Sequence, residues 1–361
     1  LFELVPPGTH IDFVGKRRIT LVISVALLLA GAVAALPQVR GIQYGIDFAG
    51  GSEMQVAFPE TPTAAEEAIR AAVSACGVDP TVVRYGEAHV AEFLIRFRPV
   101  EDEASTIPDA CPVTPEQREQ MRVLREEIGA DAGAQGELVD RLRYALENSV
   151  GPVEIERVEF VGPRVGAELR RDGIRALFWA SVFILVYIGF RFSMRFAPGA
   201  VVALLHDIGI TAGLFVIFGL EFDLRVLAAM LAILGYSLND TIIIYDRIRE
   251  NMERHTKHDL EDVLNRSINQ TLSRTVLTSG TTMVALLCLL FLGGAVIWPF
   301  ALAMTIGVVV GTYSSIFVAA PMLLFLEKWM GRETAARPAA RAVHPAQKSG
   351  KRSKRSRAAS G

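Results

Sequence analysis

Asn239-Asp240-Thr241 lies inside the run Leu234-Gly235-Tyr236-Ser237-Leu238-Asn239-Asp240-Thr241-Ile242-Ile243-Ile244-Tyr245-Asp246-Arg247, near the middle of the longest apolar tract of the chain. Burying a carboxylate in hydrocarbon costs at least about 2.5 to 3.5 kcal/mol, so such acids face a bundle interior, take a partner and mark ion or proton paths. Asp240 falls about 15 residues from the outer end of its tract, which at 1.5 Å per residue sets it in the inner half of a bilayer. Arg274 enters the next apolar tract from the same inner side, one turn in, so the two depths match. Facing one another, acid and guanidinium lower each other's burial cost, and protonating Asp240 releases the pair. The alternative is that Arg274 snorkels to the headgroups while Asp240 bonds to Ser237 or Thr241 and stays neutral. Ser237, Asn239 and Thr241 count as relay support or helix packing. Asp207, preceded by His206 near the midplane of another tract, is a further relay candidate or the acceptor of a static hydrogen bond between helices. Asp246, beside Arg247 and Arg249, reads as a rim ion pair.

The elements that position these residues follow from composition. The 361 residues are 51% hydrophobic, with a mean hydropathy of +0.34. Apolar stretches of about 20 residues, enough to cross about 30 Å of hydrocarbon, fall near 19–36, 174–190, 197–220, 226–245, 276–292 and 298–326. Short loops rich in Lys and Arg mark the cytoplasmic side. Lys16, Arg17 and Arg18 precede the first span, Arg191 and Arg195 join the second to the third, and Arg247, Arg249, Arg254, Lys257, Arg266 and Arg274 join the fourth to the fifth. The opposite loops, 219–224 and 293–297, carry Arg or Lys nowhere. Both termini are therefore expected in the cytoplasm. Arg170, Arg171 and Arg175 fall on the wrong side, at the end of a long translocated segment where the bias loses force.

The expected organisation is a cytoplasmic N-terminus (1–18), a first span (19–36), a periplasmic α+β domain (37–172), five further spans (173–330) and a basic cytoplasmic tail (331–361). The first span is read as retained: Ala32-Val33-Ala34 resembles a signal-peptide cleavage site, but the apolar run exceeds the usual 7 to 15 residues. The chain begins at Leu1, not Met, so a few native residues are expected before it. The tail reads as disordered, either simply solvated or in weak contact with anionic lipid or the ribosome.

In the exported segment, 52–58 alternates as a strand, 63–76 gathers Ala65, Ala68, Ile69, Ala72 and Val73 on one helical face, and 81–85 and 90–97 read as strands. After a Pro-rich insertion at 99–115, 115–148 reads as helix interrupted around 129–136, and 153–161 as a last strand. The order β-α-β-β-α-β is that of a ferredoxin-like sandwich. His89 has no nearby nucleophile, and 45–51 does not match a P-loop, so this chain is an unlikely binder of ATP. Cys76 and Cys111 sit where oxidation is possible, with pairing left open. No CxxC or His cluster points to a metal.

Five blocks carry a resemblance. They are Gly45-Ile46-Asp47-Phe48-Ala49-Gly50-Gly51, Val161-Gly162-Pro163-Arg164-Val165-Gly166-Ala167-Glu168-Leu169, Leu205-His206-Asp207, the run Tyr236 through Asn251, and Thr271-Leu272-Ser273-Arg274-Thr275. In this order they resemble the SecF family of the bacterial SecD/SecF protein-export complex, related to the resistance-nodulation-division exporters. Physically, Gly45, Gly50 and Gly51 with Asp47, and Gly162, Pro163 and Gly166, read as two hinges joining the exported domain to the bundle. The resemblance implies an inner-membrane, proton-coupled accessory subunit without enzymatic activity. It implies SecD, the SecYEG translocon and a translocating preprotein as partners, the lipid bilayer as surroundings, and the proton as coupling ion in place of any cofactor.

Two other readings compete. A half-size lipid or small-molecule exporter needs a larger exported domain with apolar pockets. An intramembrane aspartyl protease would use Asp207 and Asp240, but carries GxGD where this chain has LLHDIG and SLNDT. A metal-dependent HD phosphohydrolase built on His206-Asp207 lacks further histidines nearby.

Overall fold

The computed structural model describes residues 10–85, 91–99, 110–128, 130–191, 196–254 and 259–326. His89, Arg195, Lys257 and the basic tail 331–361 lie outside them. Helix α1 (Arg17–Ala34) leads into a short α2 (Ile46–Ala49), followed by β1 (Gly51–Phe58), α3 (Glu66–Ser74), β2 (Val78–Tyr85), β3 (Ala91–Pro99), α4 (Pro115–Ile128), α5 (Ala130–Ser149) and β4 (Glu154–Val161). The remaining helices are α6 (Pro163–Arg191), α7 (Ala197–Phe218), α8 (Leu224–Arg254), α9 (Leu260–Leu292) and α10 (Gly294–Ser314), which runs through a π-helical turn, Ser315–Ala319.

Among the described residues six helices are long and apolar enough to cross a membrane: α1, α6, α7, α8, α9 and α10 with its continuation to Leu326. The apolar stretches of α7, α8 and α10 are about half buried inside the chain, whereas those of α1, α6 and α9 are mostly exposed. The first three form the interior of the bundle. Small residues let them approach. A Cβ on Gly307 would meet the Ile233 side chain at 2.2 Å, one on Gly311 the Ser237 Cβ at 2.9 Å, and one on Gly31 the Gly213 Cα at 2.6 Å. Gly280 of α9 faces open space.

Helices α6, α8 and α9 outrun their apolar stretches, α8 by continuing to Arg254. Helix α6 begins at Pro163, eleven residues before the span read from hydropathy, because Pro is well suited to a first helical turn. Helix α9 begins at Leu260 with Glu261 and Asp262 in its first turn, where acids favour the helix dipole. Arg274 is thus deep within a continuous helix, not one turn from its start.

The α+β domain has a four-stranded antiparallel sheet in the order β2-β3-β1-β4. With helices after β1 and β3 it is compatible with the ferredoxin-like sandwich. Strand β2 starts three residues earlier than alternation indicates; it includes Pro80, which an edge strand tolerates. Backbone helix resumes at Ala130 and continues to Ser149, so no break spans 129–136. The inward side chains of β1 and β3, such as Met54, Val56, Phe93 and Ile95, pack on Ile69 and Val73 of α3 and Leu142 and Leu146 of α5.

Cys76, after α3, is disulfide-bonded to Cys111, ahead of α4. By loop closure over a separation of 35 residues the bond contributes about 4 kcal/mol to the domain. The double variant Cys76→Ser/Cys111→Ser should therefore expose this domain to pulse proteolysis at a markedly lower urea concentration than the parent chain. An unchanged midpoint would mean that the cross-link does not limit the domain's stability.

Candidate functional site

Asp207 and Asp240 are enclosed in the bundle, at 1% and 2% exposure. Asp207 Oδ2 accepts hydrogen bonds from Ser237 Oγ of α8 and from Ser314 Oγ, 2.8 Å away on α10. Its Oδ1 lies 2.9 Å from His206 Nδ1. His206 Nε2 is 3.0 Å from Ser24 Oγ of α1, Ser24 Oγ is 3.1 Å from the Tyr313 hydroxyl, and that hydroxyl donates to the Thr20 carbonyl at 2.8 Å. The His206 and Tyr313 rings stack, with centroids 5.9 Å apart. A continuous polar chain thus runs from Asp207 to the first turn of α1. Ser314 immediately precedes the π-helical turn, a distortion found mostly at functional sites.

Asp240 has a sparser environment. Its Oδ2 accepts a long hydrogen bond, 3.4 Å, from Ser279 Oγ of α9, and Ser279 Oγ is 2.8 Å from Thr312 Oγ1 of α10. Ser237 does not serve Asp240, as its hydroxyl goes to Asp207. Thr241 is buried and bonds back to the Ser237 carbonyl at 3.3 Å. The Asp240–Arg274 ion pair expected from matched depths is not formed: no salt bridge joins them among the described residues, and Arg274 points to the outer face of α9. The helical rotation from Ser279, which faces Asp240, to Arg274 five residues earlier is more than one turn and carries the guanidinium off that face. Asn239 is likewise on the outer face of α8. Asp246 pairs with Arg191 of α6 at 3.4 Å, not with the neighbouring arginines of its own helix.

The two glycine blocks clasp one another where the α+β domain joins α6. Gly50 and Gly51 have φ of 77° and 137°, and Gly50 lies so near α6 that a Cβ there would meet the Pro163 Cα at 2.7 Å. From the other side, a Cβ on Gly166 would meet the Gly50 nitrogen at 2.9 Å. Gly45 donates its N–H to the Phe222 carbonyl at 2.8 Å, and Gly162 has open surroundings apart from the Phe160 ring. Pro163 is the first residue of α6.

Asp47 has a specific task. Its Oδ2 accepts the Leu224 N–H at 3.0 Å, at the N-terminus of α8, where Asp223 Oδ1 also accepts the Val226 N–H at 2.8 Å. Two carboxylates therefore cap the helix that carries Asp240, at the end where the dipole favours negative charge.

Alternation and motif reading missed a second tie. Arg96 of β3 bonds Glu53 of β1 and Glu221 of the α7–α8 loop, each at 2.6 Å. Burial pulls the Arg96 pKa down, but Glu221 and Glu53 more than reverse this and hold it above the ordinary value. The sequence signal was available only in part: Arg96 alternates with the inward Phe93, Ile95 and Phe97 and so falls on the other face of the sheet, but its partner Glu221 is 125 residues away.

Six apolar helices with enclosed acids, tied to one small α+β domain, define a polytopic membrane protein built around intramembrane polar groups. Residues 142–329 match the family described as "Protein export membrane protein SecD/SecF, C-terminal", and residues 39–58 match the "SecD/SecF GG Motif". The chain is 42% identical over 335 residues to the protein translocase subunit SecF of Magnetococcus marinus, covering 92% of this chain and 97% of that protein. It is 38% identical over 324 residues to the protein translocase subunit SecDF of Brucella abortus, covering 89% of this chain and 38% of that protein. The crystal structure of SecDF from Thermus thermophilus, a translocon-associated membrane protein, superposes with a TM-score of 0.68 at 33% identity, over 90% of this chain and 39% of that one. This chain spans about two fifths of those SecDF chains. The chain belongs to the SecF family of protein translocase subunits.

Asp47→Ala removes one acceptor from the α8 N-terminus, a loss of about 0.5 to 2 kcal/mol. Amide hydrogen exchange in the first turn of α8 should accelerate by roughly two- to thirty-fold, with exchange in α10 unchanged. Uniform acceleration across the bundle would show that Asp47 acts on global stability instead.

Proposed function

We propose that this chain, with SecD, uses the proton gradient to promote preprotein export across the bacterial inner membrane as an accessory subunit of the Sec translocase. The observation that carries the reading is the pair of enclosed carboxylates, Asp207 and Asp240, each bonded to hydroxyls from other helices. A carboxylate held this way changes its partners when it gains a proton, and those partners lie on different helices. Asp240 has only the long Ser279 bond among its described contacts, so protonation there has a small local cost. Two buried hydroxyls have no hydrogen-bond partner among the described residues, Thr275 one turn before Ser279 and Thr211 one turn after Asp207. They are suited to pass a proton on.

In this proposal Arg274 acts from the outer face of α9. A rotation of α9 would bring it nearer to Asp240. Asn239 and Arg274, both outward-facing within apolar helices, suit a face covered by SecD helices. Fusion of the two subunits in SecDF relatives supports that partnership. SecYEG and the moving preprotein are the further partners. Both termini are cytoplasmic and the α+β domain periplasmic in this reading, which the loop arginines and the Cys76–Cys111 bond support. The bundle transmits to that domain through the Asp47 cap, the Gly50 clasp and the Arg96–Glu221 tie.

For a protease, the two acids would have to share a catalytic water or proton. They bond instead to separate sets of partners, which favours the relay.

Asp240→Asn and, separately, Arg274→Met are expected to abolish the gradient-stimulated part of preprotein export in membranes carrying the SecD partner, leaving the gradient-independent part intact. The measurement is translocation of a secreted preprotein into inverted vesicles with and without an uncoupler. Full gradient stimulation in Asp240→Asn would sink the relay. Peptide-bond cleavage lost in Asp207→Asn would point to the protease.

A further inference from the structure

A groove of about 430 Å³ opens on the bundle surface between α1, α6, α7 and α8, at the end nearest the α+β domain. Its walls are small or apolar, among them Gly31 and Ala32 of α1, Leu177 of α6, Ala212 and Gly213 of α7 and Met230 of α8. At the domain end Tyr44 and Phe48 of the glycine-motif segment close it, and the one charged residue of the lining is Arg170. The Arg170 guanidinium lies 4.9 Å over the Tyr44 ring, and among the described residues it has no carboxylate partner. Arg170 is four residues before the apolar stretch of α6, roughly 6 Å at 1.5 Å per residue, which is headgroup depth. It also belongs to the cluster Arg170, Arg171 and Arg175 that defies the usual charge bias of membrane loops, and of these only Arg175 has an acidic partner, Asp172 at 3.0 Å.

We propose that this groove holds an acyl chain of a glycerophospholipid from the leaflet on the domain side, with the lipid phosphate on Arg170. An apolar trough headed by an unpaired guanidinium is complementary to an amphiphile with a long tail and an anionic head. Arg binds phosphate through two parallel N–H donors and leaves the stacked ring contact intact. The misplaced arginines then have a reason: they are not a topology signal but a headgroup site. Because Tyr44 and Phe48 flank the Gly45–Gly51 block, a bound lipid would touch the segment that clasps the domain to α6. The site does not depend on the export reading; only the naming of its leaflet as the outer one rests on the proposed orientation.

The test is photolabelling of the full chain, alone and with SecD, in nanodiscs of phosphatidylcholine containing a trace of phosphatidylglycerol with a diazirine in its acyl chain. Label is expected to concentrate on the α1 and α7 peptides that wall the groove, well above that on the exposed face of α9. Arg170→Gln should reduce groove labelling about ten-fold, the loss expected for one charge-assisted hydrogen bond, and Arg170→Lys should restore part of it. Ala32→Phe, which fills the trough from an exposed position, should abolish it while α9 labelling stays constant. Equal labelling of groove and α9, or no response to these variants, would overturn the proposal. So would groove labelling that disappears once SecD is present, because a protein surface would then be the occupant. Labelling reads lipid occupancy and not export, so its failure leaves the proton relay standing, and an inactive relay leaves the lipid site standing.

Discussion

A carboxylate taken into a bundle interior must be hydrogen-bonded, and the arrangement of helices around Asp207 follows from that requirement. Its acceptor oxygens are met by Ser237 of α8, Ser314 of α10 and the preceding His206, and His206 continues through Ser24 to α1. Four helices thus meet at one acid. The close packing of Gly311 on Ser237 is part of the same constraint, since any larger residue at 311 would push away the hydroxyl that reaches Asp207. An apolar core would tolerate some rearrangement of these helices. A shared carboxylate does not, because each donor that leaves exposes a buried charge.

The helix that carries Asp240 is tied directly to the α+β domain. Helix α8 is a single element of 31 residues, with Asp240 in its middle and the Asp47 and Asp223 carboxylates at its N-terminus. A tilt of α8 therefore moves the Asp47 segment, which enters β1 directly through Gly50 and Gly51. Arg96 fastens the same sheet to the loop before α8. These ties converge at one corner of the domain. The far side of its sheet, with Phe160 and Val158 exposed on β4, is free of them.

The spans, the domain and its strand order were legible because each rests on local periodicity: apolar runs for the helices, alternation for β1 and β3, a 3.6-residue stripe for α3. The enclosed acids were legible by type, since a lone Asp in an apolar run is costly wherever it points. Their partners were not. Ser237 looked like a neighbour of Asp240, but which of two acids it serves depends on how α7 and α8 are rotated against each other, and sequence does not encode that in any short window. The same holds for Arg274, where matched depth suggested a pair that rotation about the helix axis removes. The glycine blocks were legible as motifs that join the domain to the bundle. Positive φ and the absence of Cβ permit flexibility and close contact equally, and only the position of Pro163 and Gly166 against Gly50 decides for contact. Short polar caps such as Asp47 on α8 joined segments too distant to be linked by pattern.

The outer surface of the bundle is chemically incomplete in a way that composition alone does not convey. The mostly exposed helix α9 carries Arg274 and leaves Gly280 without a neighbour, and the adjoining α8 exposes Asn239 and Gly235. A guanidinium and an amide turned toward hydrocarbon cost free energy that lipid tails do not offset, whereas a second set of helices supplying carbonyls, hydroxyls or acids would. Small residues without neighbours are the other half of that pattern, since close helix contact is what glycine permits in a membrane. On the opposite flank, near α1 and α6, the outward residues are large and apolar, as at Ile174, Phe178 and Phe183, and the cation there sits at headgroup depth. One flank is thus suited to protein and the other to lipid. An asymmetry of that kind suits a bundle that packs against further helices on the side carrying Arg274 and Asn239.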